Sequence, residues 1–256
     1  MGDELDAIRR PFGPEDLEPL LAANGIDRTV LVQTVSSLDE TREFLATAAA
    51  TNFVAGVVGW VDLTHPSVAS TIAGLRKSAG GDRLVGIRHQ VHDEPDPEWL
   101  LADAVQSGIA AVGEAGLVYD ILVRTRELPA ALDTVQRHRD VQFVIDHAAK
   151  PRIAGGSMDQ AWEKALEAFS DRPNVSCKLS GLVTEADWST WTTEQLEPYV
   201  TRVLGWFGAE RSMFGSDWPV CLLAAKYEQV IAAMRAIVGD NDQVFGGTAT
   251  RVYGLS

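Results

Sequence analysis

Cysteine is nearly missing from the chain, with only Cys177 and Cys221 among 256 residues. Two cysteines cannot build a disulfide framework, so a reducing, cytoplasmic setting is expected. Positive charge is also scarce. Lys and Arg total 22 against 36 Asp and Glu, giving a net charge of -14 and a pI near 4.7. Such a balance argues against nucleic acid and anionic membranes as partners. No apolar run approaches the roughly 20 residues a membrane-spanning helix needs. The opening residues, MGDEL, show neither the basic nor the apolar region of a signal peptide. What is plentiful is hydrophobic residues, at 46%, enough to bury a large core.

Those residues recur in a regular order of short apolar run, polar turn and amphipathic stretch. The apolar runs cover residues 29–34 (TVLVQT), 54–61, 84–89 (LVGIRH), 118–123, 142–147 (QFVIDH), 175–180 (VSCKLS) and 212–217 (SMFGSD). They are short and mostly β-branched or aromatic, which predicts buried strands. Between and after them, residues 38–50, 67–77, 98–111, 127–138, 158–169, 193–207 and 227–237 carry apolar residues at helical period. Starts lie roughly 30 residues apart, the length of a βαβ unit. No linker or shift of composition divides the chain, so residues 1–256 read as one domain.

Strands apolar on both faces, alternating with helices, predict a parallel sheet covered on both sides. An open doubly wound sheet gathers its chemistry at one switch point, whereas a barrel gathers it from many strand ends. Gln33, Trp60, Arg88, His89, His147, Lys178 and Asp217 all sit at such ends. The expected fold is therefore α/β, a (β/α)8 TIM-type barrel. Seven strands are counted, and residues 14–24 (PEDLEPLLAAN) look like the helix of a first unit whose strand is missing.

Asp217, in GSDWP, is placed for general-base work on water, or else caps the next segment. His147 can polarise a carbonyl, bind a metal or orient a substrate, or else be a satisfied core histidine. Asp146 has the opposite strand parity and is expected to face the helices. Arg88 offers a planar fork for a carboxylate or vicinal hydroxyls, with His89 beside it. Lys178 shares a strand face with Ser180 and is expected at the barrel mouth, steadying an oxyanion or ion-paired to an acid. Trp60 and Trp218 can stack on a sugar face, and Tyr119 and Asp120 can bond hydroxyls. Cys177 reads as inert core.

Residues 85–93 (VGIRHQVHD), 143–151 (FVIDHAAKP), 175–181 (VSCKLSG), 213–219 (MFGSDWP) and 245–255 (FGGTATRVYGL) together resemble the amidohydrolase-related lactonases of the amidohydrolase superfamily. The resemblance covers nearly the whole chain. It implies hydrolysis of a sugar-acid or related small-molecule lactone, with Asp217 as the aspartate that activates water and shuttles its proton. From the residues themselves, His147 is expected as its catalytic partner, with Arg88, His89, Lys178, Trp60 and Tyr119 around the substrate. This family opens with a strand bearing a His-x-His pair, whereas the first histidine here is His65. The expectation is a sequence beginning downstream of that strand. Without the pair, only His147 and Asp217 remain as candidate ligands. No tightly bound metal is expected, and Zn²⁺ only if such a strand is supplied.

The missing pair also keeps open a second reading, a catalytically silent barrel that binds a small ligand or protein partner. A third is a related metal-dependent decarboxylase. The missing strand leads to three structural expectations: an open barrel, a strand borrowed from residues 1–13, or self-association through the gap.

Overall fold

A computed structural model describes residues 3–255. Seven parallel strands follow one another in chain order: β1 (Thr29–Val32), β2 (Val54–Gly59), β3 (Leu84–Gln90), β4 (Val118–Leu122), β5 (Phe143–Ile145), β6 (Val175–Leu179) and β7 (Ser212–Phe214). Each pairs with its successor. Between β1 and β7 the sheet is open among the described residues. The edge shows in the burial: every residue of β1 is partly exposed, whereas all of β2 is buried.

The sheet nevertheless curls. Val58, Val118, Val144 and Met213, from β2, β4, β5 and β7, meet Tyr253 in a single buried cluster. Side chains from strands that far apart touch only around a common lumen. Tyr253 ends a short C-terminal helix, Thr248–Tyr253, whose Ala249 and Val252 also pack there. The larger core lies outside the arc, where Val57, Ile87, Tyr119, Ile121, Ile145 and Cys177 face the helices.

The helices match the predicted stretches closely. Helix α1 spans Pro14–Asn24, α2 Leu38–Ala50, α3 Val68–Arg76, α4 Asp103–Glu114, α5 Leu128–Arg137 and α6 Gln160–Glu167. They continue as a short α7, Leu182–Glu185, then α8, Thr193–Phe207, and α9, Tyr227–Val238; the C-terminal helix is α10. Ser37 caps α2 and Asp159 caps α6, each side chain accepting a backbone N–H. The stretch predicted as one helix from residue 98 divides into a 3-10 turn, Trp99–Leu101, and α4.

Residues 3–13 supply no strand, correcting one of the three expectations: Asp3–Ile8 form a 3-10 turn. Pro11 and Gly13 follow, neither a strand former; residues 1–2 lie outside the described ones. Among the described residues, no helix is long and apolar enough to cross a membrane.

Gly108 lets α4 pack hard against the segment after β2. A Cβ there would lie 2.3 Å from the Leu63 carbonyl oxygen. Gly108→Ala is expected to cost about 1–3 kcal/mol, and so to lower the thermal midpoint by several degrees. An unchanged midpoint in calorimetry would contradict this close approach.

Candidate active site

The lumen floor is a buried charge network. Register pairing places Arg88 beside Asp120 on neighbouring strands. Arg88 donates Nη1–H to Asp146 Oδ2 at 2.7 Å and its Nε–H and Nη2–H to Gln33 Oε1 at 3.3 and 3.1 Å. It also donates to the Gln33 carbonyl. Lys178 Nζ lies 2.5 Å from Asp146 Oδ1 and 3.0 Å from Asp120 Oδ2. Tyr253 donates its hydroxyl to that same Asp120 oxygen at 2.8 Å. Asp120, Asp146 and Gln33 are all fully buried.

Burial opposes ionisation of Asp146, but Lys178 and then Arg88 overcome it, holding its carboxyl well below the usual range. Asp120 is pushed up to about 6, first by burial, with Lys178 pulling it down and the Asp146 charge pushing it up. Burial also opposes the charge on Lys178, yet Asp120 and Asp146 raise its pKa above the ordinary value.

Asp146 is thus a correction to the parity argument. Val144 faces the lumen and Ile145 the helices, so the alternation of β5 itself gives Asp146 the lumen side, and it is His147 whose parity points outward. The next four residues do not extend: His147, Ala148, Ala149 and Lys150 have φ of 51°, 47°, 56° and 52°. Four non-glycine residues in the left-handed region cost roughly 1–2 kcal/mol apiece. Surrounding contacts hold them there: Trp162 Nε1–H donates to the Ala148 carbonyl at 2.6 Å, and both alanines are buried. Asp146 enters the lumen on the alternation of β5, and this turn is what brings His147 to the mouth.

At the mouth, His147 Nε2 lies 3.7 Å from Asp217 Oδ1, and its Nδ1 lies 2.8 Å from Ser180 Oγ. Asp217 also has left-handed backbone, φ 57°. Sparsely populated conformations persist only where the surroundings over-determine them, and here they coincide with the two residues singled out for catalysis. Gly181, with φ 64°, is the floor under the imidazole: a Cβ there would fall 2.7 Å from His147 Nδ1. Burial lowers the His147 pKa, with Asp217 and Asp146 opposing, so the ring is neutral at pH 7.

The other sequence-derived candidates separate. Lys178 is held by two acids in the floor, the ion-paired alternative. His89 forms its own cluster: Nδ1 accepts from Trp60 Nε1–H at 3.0 Å, Nε2 lies 2.7 Å from Glu94, and the ring stacks on Trp99 at 4.2 Å. Trp60 is therefore committed to His89. Tyr119 is not at the mouth, which corrects its proposed place around the substrate. It is fully buried on the helix-facing side against Phe143, because Asp120 takes the lumen-facing position of β4.

Sequence reasoning missed the rim formed by Lys150, Arg124 and Glu185. Lys150 Nζ lies 2.6 Å from Glu185 Oε1, and Arg124 Nη1 3.1 Å from Oε2. Glu185 belongs to α7, a single turn too short to leave a periodic signature. His92, whose pKa burial lowers, feels the charges of both Lys150 and Arg124.

The amidohydrolase family model matches residues 1–255. The chain belongs to the amidohydrolase family. Among curated relatives it is 43% identical to an L-fucono-1,5-lactonase of Burkholderia ambifaria, covering 97% of this chain and 87% of that one. It is 38% identical to an L-fucono-1,5-lactonase of Burkholderia multivorans, covering 100% and 90%. A crystal structure of an amidohydrolase from Burkholderia multivorans with bound zinc superposes with a TM-score of 0.94 at 36% identity, covering 100% and 93%. Among the described residues, no three His, Cys, Asp or Glu side chains gather around one point. His147 and Asp217 alone do not fit the three or four ligands of a zinc site.

Asp120 generates a test of the floor. Its folded pKa, about 6, is raised above the ordinary 3.8. Its contribution to stability is thus present below pH 3.8 and lost as pH rises through about 6. Asp120→Asn keeps an acceptor for Tyr253 and Lys178 but cannot ionise. Between pH 4 and 7 the variant should gain on the wild type by on the order of 1–3 kcal/mol. Chemical denaturation at several pH values checks this; a constant difference would mean that Asp120 ionises normally. Removing the cation instead, by Lys178→Met, leaves Asp120 without a cation and Asp146 with Arg88 alone, and is expected to cost about 3–5 kcal/mol in the same denaturation experiment.

Proposed function

We propose that this amidohydrolase opens a sugar-acid lactone by water attack, with Asp217 as general base and His147 as the group that polarises the ring carbonyl. The observation that carries the reading is the convergence of Asp217 and neutral His147, 3.7 Å apart, on strained backbone at the carboxyl ends of β7 and β5. That is the end of a barrel where chemistry is found. The L-fucono-1,5-lactonase relatives support a lactone of that sugar-acid kind as the substrate class.

The step balances with two side chains. Asp217 takes one proton from water as its oxygen bonds to the carbonyl carbon. The carbonyl oxygen becomes an oxyanion held by the His147 N–H. When the oxyanion collapses, the bond to the ring oxygen breaks, and Asp217 returns its proton to that oxygen. The product is an open-chain hydroxy acid. Arg88 and Lys178 do not need to touch substrate in this scheme. They hold Asp146, and Asp146 precedes the turn that aims His147.

A pH-stat or coupled assay on L-fucono-1,5-lactone, on other sugar-acid lactones and on 2-pyrone-4,6-dicarboxylate lactone tests the reading. Asp217→Asn should lower kcat by about 10²–10⁴-fold while the folded protein retains its circular dichroism spectrum. Undiminished turnover in that variant would remove Asp217 from the base role. Calorimetric binding of lactone without any turnover by the wild type would favour a ligand-binding barrel.

A further inference from the structure

The proposed reaction requires His147 to present a proton, not a lone pair, to the carbonyl oxygen. A neutral imidazole has one nitrogen of each kind, and which is which depends on its partners. On one side of the ring is Ser180 Oγ, 2.8 Å from Nδ1; on the other is Asp217 Oδ1, 3.7 Å from Nε2.

We infer that Ser180 is a positioning residue: its hydroxyl donates to Nδ1 of His147 and so keeps the ring proton on Nε2, facing Asp217 and the substrate. Two independent features of the site favour this assignment. First, Ser180 is 3% exposed, and among the described residues its side chain bonds to nothing but His147. Were Nδ1 protonated, it would donate to Oγ, and the serine proton would be left buried without an acceptor, an expensive omission. Second, a bare Nε2 would set its lone pair against the oxygen lone pairs of Asp217. With the proton on Nε2, both contacts become favourable at once. Burial of the ring, which keeps it from holding both protons, agrees with this.

The geometry around the pair leaves little freedom to reverse it. Gly181 packs under the imidazole, where a Cβ would come within 2.7 Å of Nδ1. Gly215 packs behind the serine, where a Cβ would be 3.0 Å from the Ser180 Cβ. The left-handed backbone at His147 fixes the ring's origin. The serine hydroxyl is the remaining rotor, and among the described residues His147 Nδ1 is the partner its side chain bonds.

This inference rests on the lactonase reading for its functional meaning but not for its test. The full chain labelled with ¹⁵N at histidine contains five imidazoles, of which His147 is assigned by loss of its signals in His147→Asn. At pH 7.5, long-range ¹H–¹⁵N correlation should show Nε2 protonated and Nδ1 bare. In Ser180→Ala the pattern should move toward a mixture of tautomers. Turnover should fall about 10- to 100-fold in kcat with little change in KM, less than the ~10²–10³ lost with an oxyanion donor itself. A wild-type spectrum with the proton on Nδ1 overturns the inference, even if the variant does not fold. So does a Ser180→Ala protein with an unchanged His147 pattern. The expected wild-type pattern in a protein with no activity toward any lactone supports the assignment and removes the lactonase reading instead.

Discussion

The carboxylate of Asp146, gripped by Arg88 and Lys178, is the contact on which the site's geometry depends. A fully buried anion is tolerated only when opposite charge and hydrogen bonds replace water. Here each oxygen has its own cation, at 2.7 and 2.5 Å. The grip gathers the sheet. Arg88 brings β3 and, through Gln33, the segment after β1; Lys178 brings β6 and, through Asp120, β4 and the C-terminal Tyr253. An open arc of seven strands has no closing row of hydrogen bonds to hold its curvature. The network crosses the lumen and ties neighbouring and distant strands through side chains instead.

From that anchor the chain enters the His147–Lys150 turn. Ordinary backbone would continue β5 and send His147 toward the helices. The left-handed run redirects it, and the strain is met by tertiary contacts: the Trp162 indole on the Ala148 carbonyl, the small buried alanines, and Lys150 held by Glu185. Asp217 repeats the device on β7. Strain distributed in this way leaves imidazole and carboxylate with few alternative positions, which suits a reaction that depends on their separation.

Much of this was legible in the sequence because period and composition act locally. Repeated β-branched runs separated by amphipathic stretches specify parallel strands and covering helices whatever the loops do, so all seven strands and most helices lie where the pattern puts them. Asp217 and His147 were legible as polar residues ending apolar runs. What was not legible depends on where each strand stops. Parity puts Asp146 outside only if His147 is taken as lumen-facing; Val144 and Asp146 hold the lumen side of the alternation, and nothing in FVIDHAAKP announces the four left-handed residues that bring His147 to the mouth. Tyr119 and Asp120 are adjacent and both polar at one end; only the register with Arg88 decides which faces the lumen. The Lys178–Asp120 and Lys150–Glu185 pairs link residues 58 and 35 positions apart, separations over which sequence pattern carries no information.

The division between floor and mouth also fits the energetics of the proposed step. Charges are costly to create where water is excluded. In the scheme above none is created: negative charge starts on Asp217, moves to the carbonyl oxygen as Asp217 takes the water's proton, and returns when the ring oxygen is protonated. A cationic His147 would bind the oxyanion more strongly, but it would also bind ionised Asp217 strongly beforehand and weaken it as a base. A neutral ring that presents only an N–H stabilises the later charge without trapping the earlier one. Keeping Arg88 and Lys178 engaged with Asp146 and Asp120 has the same effect at longer range, since free cations beside Asp217 would lower its affinity for the proton it must accept. The neutralised floor thus preserves the basicity of the mouth.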